Sequence, residues 1–175
     1  MSFLFPSRLG ALLLLAAAAI LPATALCADP APGKAAPAAG IHLARGKSKV
    51  VTVVGAKHEN ETGIMLRPGE SYLIRPLPNQ EWIDLTIHTT AAGFSSKTNP
   101  LMEAFANQRI IPEANWLELC GSFGGAHPFR VGNSALVMVP KGPALNIPLR
   151  LFANDVKWGY WDNYGSLQVE VKRLR

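Results

Sequence analysis

Six short runs along the chain are rich in branched and aromatic residues: 49–54, 71–75, 82–88, 135–139, 148–153 and 166–172. The last alternates cleanly, with Leu167, Val169 and Val171 at one parity and Gln168, Glu170 and Lys172 at the other. Successive side chains of a strand point to opposite faces of its sheet, so this is the pattern of a strand half buried against a core. Proline and glycine punctuate the intervals, at 67–70, 76–79, 140–143 and around Gly165. Short strands separated by such turns predict an all-β, antiparallel sandwich or barrel. One stretch departs from the pattern: within 100–109, Leu101, Met102 and Phe105 would line one side of a short helix.

The beginning of the chain follows a different rule. Arg8 precedes an apolar run from Leu9 to Leu21, and small residues continue to Ala28. That order reads as a secretory signal peptide over 1–28, giving an expected periplasmic or secreted location. Pro22 closes the run short of the roughly 20 apolar residues that a spanning helix needs, so no permanent transmembrane anchor is expected. Lipid attachment at Cys27 is the alternative, and the bulky Leu26 before it argues against that. Residues 29–44 are Ala/Pro-rich and read as a flexible tether, because they bury too little to offset the entropy of ordering. Residues 45–175 are then enough for one core. Without the leader, Cys120 is the one cysteine certain to remain, which excludes an intramolecular disulfide framework. Its place between Leu119 and Gly121 suits a small buried hydrophobe.

Charge and motifs remove several function classes. The net charge of +5 includes Arg8, and the basic residues are scattered. Nucleic-acid binding would call for a basic stripe interleaved with stacking aromatics, so no nucleic-acid partner is expected. The chain has no zinc-type His-Glu-x-x-His, no Gly-x-Ser-x-Gly elbow, no phosphate-binding glycine loop and no cysteine pair. Its histidines, at 42, 58, 88 and 127, are far apart and read as structural or solvated. No catalytic residue is expected, and the protein is read as a non-enzyme.

The segment 154–166 carries the densest chemistry. It offers the carboxylates of Asp155 and Asp162, the amide of Asn163, several turn carbonyls, and the aromatics Trp158, Tyr160, Trp161 and Tyr164. Calcium takes six to eight hard oxygens from such groups, although Asp, Asn and Gly also serve turns with no metal at all. Tryptophan and tyrosine likewise suit either a recognition surface or the core.

This segment resembles the calcium loop of the bacterial calcium-dependent galactophilic lectins of the PA-I type: Asn154-Asp-Val, then Tyr160, Asn163, Gly165, Ser166 and a final alternating strand. Phe123-x-Gly-Ala126 with Val131-Gly-Asn-Ser134 is similar to a second block, and Pro68-Gly-Glu70 to a first turn. The resemblance implies a jelly-roll β-sandwich of the galactose-binding-domain-like kind. It also implies calcium held by the side chains of Asp155, Asp162 and Asn163 and by backbone carbonyls of Gly159 and of the loop around Lys97. Two sugar hydroxyls would complete the shell, with Asp155, Val156 and Asp162 touching the sugar. Trp158 would offer a stacking ring or else cover the metal. The family's sugar-contacting histidine is missing from 111–115, where Asn115 stands in for its glutamine. The expected function is an exported lectin-like module binding a glycan, with calcium as cofactor and oligomers permitted. The alternative is a module for an envelope protein on the same sandwich, with the sugar site lost.

Overall fold

The C-terminal strand organises the molecule. The computed structural model describes residues 40–97 and 99–175, so the expected leader, Cys27 and most of the tether lie outside the described residues. Its strands are β1 Ser48–Val54, β2 Asn60–Leu66, β3 Ser71–Pro76, β4 Trp82–Asp84, β5 Ile87–Thr89, β6 Leu119–Phe123, β7 Ala126–Arg130, β8 Ala135–Met138, β9 Ile147–Ala153 and β10 Asn163–Arg173. One short helix, α1, covers Pro100–Ala104. β10 pairs antiparallel with β1, with β3 from Val169 onward, and with β4 through residues 163–165. The resulting sheet runs β5-β4-β10-β3-β8 with β1 added on β10, and a second sheet runs β2-β9-β6-β7.

Alternation explains why the two sheets close on each other. Val51, Val53, Tyr72, Ile74, Trp82, Leu167, Val169 and Val171 of the first meet Ile64, Leu66, Leu119, Leu149, Leu151 and Ala153 of the second in one core. Each Val, Leu or Ile among them contributes about 1.5–3 kcal/mol on burial. The fold is therefore an antiparallel sandwich, one of the two architectures that the alternation predicts and the jelly roll that the resemblance implies. Residues of the opposite parity, Cys120 and Phe152, pack on the outer face of the second sheet with Ile111 and Ala114. Cys120 is fully buried there, and burial pushes its thiol pKa up.

Several elements differ from the sequence pattern, each for a local reason. The run 82–88 is a hairpin, β4 and β5, turned at Leu85 with φ 53°. Gly165 lies inside β10, at the point where pairing passes from β4 to β1 and β3. β2 escapes notice because its inward positions include Asn60 and Thr62, made tolerable by bonds to Leu151 O (3.2 Å) and Leu149 O (2.7 Å). β7 carries Pro128 and lies at the edge of its sheet, where a missing N–H is tolerated. The helix is shorter than 100–109, continuing only as a 3-10 turn over Ala106–Gln108, and Leu101 is exposed rather than packed.

Two contacts fix the end of the sandwich that matters below. The amide of Gln80 donates to Gln168 O (3.1 Å) and accepts from Gln168 N (2.6 Å), imitating a strand between β3 and β4 and holding β4 in register on β10. Among the described residues no helix is long and apolar enough to cross a membrane.

Candidate functional site

The turn from β9 to β10 is anchored by a buried amide. Asn154 Oδ1 accepts from Ile111 N (2.9 Å), and its Nδ2 donates to Ile111 O (2.9 Å) and Asn115 O (3.0 Å). A fully satisfied, fully buried Asn of this kind pins two loops together. It thereby sets where the next residue, Asp155, emerges. Tyr160 closes the turn from the other side, donating its hydroxyl to Ala153 O, with the His58 ring 5.2 Å away.

Asp155 is 2% exposed; its Oδ1 takes Val156 N (2.6 Å) and its Oδ2 takes Asn163 Nδ2 (2.8 Å). Burial raises the Asp155 pKa, with these two bonds acting against it. The same Asn163 amide leaves its Oδ1 buried with no partner. A buried carbonyl oxygen without a donor is destabilising by about 1–3 kcal/mol, and such an atom calls for an explanation. Gly159 packs so tightly that a Cβ would stand 2.9 and 3.0 Å from the two Asp155 oxygens. Its carbonyl accepts only a long bond, 3.3 Å, from Asp162 N.

A third carboxylate joins from β4. Asp84 is the register partner of Asn163 and shares the inner face of its strand with Trp82, two residues earlier. Its pKa is pushed up to about 7, first by burial and then by the charges of Asp155 and Asp162. Among the described residues none of these three acids forms an ion pair with a cationic side chain. Arg109, which is near, spends its guanidinium on Ala106 O (2.8 Å), Pro112 O (2.6 Å) and the Trp116 ring face. Also among the described residues, no three His, Cys, Asp or Glu side chains gather closely enough to hold a metal by themselves. Any ion here must draw on amide and backbone oxygens as well, which is the ligand chemistry of calcium.

The other residues singled out in the sequence lie as follows. Val156 is buried, bridged to Arg109, and offers little side-chain surface. Asn115 has its side chain committed to Ala92 O (3.0 Å) and reaches the turn only through its own carbonyl. Lys97 is bonded through its N–H to Ser95 Oγ (3.3 Å), and among the described residues no hydrogen bond ties it to the acids. The backbone that does meet Asp162 is the β4–β5 turn, Leu85 N donating to Asp162 O at 2.9 Å. Trp158, Trp161 and Tyr164 are more than half exposed, and the Phe105 ring meets Trp158 edge-on at 5.4 Å. Only Tyr160 of the four aromatics is core. Asp84 was hidden in the sequence because its neighbours are strand residues; only the pairing of β4 with β10 brings it here.

The fold and this turn define an antiparallel jelly-roll domain with an acid-and-amide turn at one end, on which Trp158 and Trp161 are exposed. No protein-family model matches the chain, and no curated protein sequence does. Among solved structures it is similar to the N-terminal domain of EclA, a PllA-like lectin. The TM-score is 0.50 and the identity 23%, over 71% of this chain and 94% of that one. The likeness is one of fold: a lectin domain is built on the same sandwich.

Proposed function

We propose that this protein is an exported carbohydrate-binding module in which calcium, held by the 155–163 turn, bridges the domain to a sugar. The observation that carries the reading is Asn163, fully buried with Oδ1 unpartnered beside the Asp155 carboxylate. Asp155, Asp162, the Asn163 oxygen and the Gly159 carbonyl would hold the ion, and the close approach of Gly159 keeps the carboxylate within reach of the turn. Bound calcium would supply a fixed positive charge on which two adjacent sugar hydroxyls replace water. The kinship in fold with a lectin domain supports the same reading. Trp158, with a half-free face, would lie against the apolar side of the sugar ring, and Val156 and Asn115 would contribute by backbone rather than side chain.

Thermal unfolding tests the metal. Calcium is expected to raise Tm with the logarithm of its concentration above Kd, and Asp155→Ala with Asp162→Ala to abolish the rise. A wild-type protein indifferent to millimolar calcium and to chelator would sink the reading. One observation favours a second reading, a module for an envelope protein. Two large exposed aromatics on the turn, Trp158 and Trp161, and a third, Tyr164, at the start of β10 are of the types that anchor protein interfaces. Binding of that kind should survive chelator and be lost in Trp158→Ala.

A further inference from the structure

Beside the turn lies a cleft of about 340 Å³ that the reading above leaves unused. Three segments build the part that matters. His58 and Glu59 come from the β1–β2 connection, Arg109 and Ile110 from the stretch after the 3-10 turn, and Lys157 from the 155–163 turn itself. Two backbone contacts tie the cleft to that turn: Ile110 N donates to Asp155 O (3.2 Å), and Arg109 pairs with Val156 in an isolated β-bridge. The spare charge at the cleft is positive. Arg109 and Lys157 both line it, and among the described residues neither forms an ion pair. The acid in the lining, Glu59, is already paired with Arg150. Arg109 is also held in place. Its Nε and Nη2 donate to Ala106 O (2.8 Å) and Pro112 O (2.6 Å), and its guanidinium lies over the Trp116 ring, 5.1 Å from the centroid. That leaves Nη1 without a hydrogen-bond partner among the described residues. A cation fixed in this way gives up little rotamer freedom when a ligand arrives.

We propose that this cleft seats a negatively charged group of the bound glycan, a carboxylate or a sulfate ester, so that the ligand is an acidic sugar chain. The inference rests on the sugar reading above and names the class of glycan. Hydrogen bonds from ionised donors to an oxyanion are roughly twice as strong as neutral ones, and Arg109 Nη1 and Lys157 Nζ are donors of that kind. A neutral glycan would leave both charges to water. Because Lys157 belongs to the turn as well as to the cleft, one sugar chain reaches both, with the hydroxyls of one unit at the calcium and the charged group of the next in the cleft. The exposed Pro128 and the half-buried Ile110 give that unit an apolar wall. Asp155 and Asp162 repel such a ligand until calcium offsets their charge, so the cleft and the turn act together.

An array carrying neutral, uronic, sialylated and sulfated glycans, probed in calcium with the full mature chain and with its Lys157→Gln variant, tests this. Lys157 is exposed, so the variant is expected to fold and to keep the calcium-dependent rise in Tm. Acidic glycans are expected to bind more tightly than their neutral counterparts, and to weaken about tenfold or more in Lys157→Gln. They should weaken likewise in about 1 M salt, where the screening length falls to ~3 Å. The uronic, sialylated and sulfated spots separate carboxylate from sulfate as the source of the charge. Neutral glycans bound as tightly as acidic ones, or acidic binding unchanged in Lys157→Gln, overturns the role of the cleft and leaves the sugar reading standing. Binding to no glycan of any kind overturns both.

Discussion

Gly159 is held to glycine by crowding and not by backbone angle: its φ of −84° suits any residue. A methyl group there would press on both Asp155 oxygens and on Val156 Cγ2, at 2.9 to 3.0 Å. Gly159→Ala is therefore expected to destabilise by about 1–3 kcal/mol and to remove the calcium-dependent rise in stability. Urea unfolding with and without calcium reads both; an alanine variant that kept the full calcium response would show that the turn has slack. Asp155, Asp162 and Asn163 were legible in the sequence because one turn holds them within a few positions. What surrounds them was less legible, since Asn163 donates to Asp155 and leaves its own oxygen buried without a partner, which no sequence displays. The aromatics illustrate the same limit. Tyr160 and Trp161 are neighbours in the chain, yet one is buried and the other is among the most exposed large side chains described.

At the scale of elements, the hairpin of β4 and β5 carries backbone strain at its tip. Leu85 sits at its tip with φ 53°, a region that disfavours a branched, bulky residue by about 1–2 kcal/mol. The Leu85 side chain is 62% exposed, so little packing is lost on removing it. Leu85→Gly is expected to raise stability by about 0.5–1 kcal/mol without moving calcium affinity, measured by denaturant unfolding and by titration. A fall in stability would mean that the Leu85 side chain packs usefully against the turn. The sequence predicted a single strand over 82–88 because its alternation is regular, and nothing in the composition marks the left-handed residue. The alternating stretch of β10 from Leu167 to Val171 was readable for the opposite reason: burial and parity agree throughout it. β2 and β7 were missed where inward polar residues or a proline break that agreement and are made good by partners far away in the chain.

For the whole molecule, alternation and turn spacing were sufficient to give an antiparallel sandwich or barrel; the structure is the sandwich, and a lectin domain shares that fold at 23% identity. Strand pairing adds what spacing could not, bringing β4 to β10 and so placing Asp84 opposite Asn163. The central claim is that this end binds a sugar through calcium. It is tested most directly by presenting the mature protein to a glycan array in calcium and again in EDTA. The account predicts binding to one or more glycans in calcium that disappears in EDTA, because two sugar hydroxyls are held by the ion. Glycan binding of equal strength in EDTA, or none at high protein concentration in calcium, would contradict it.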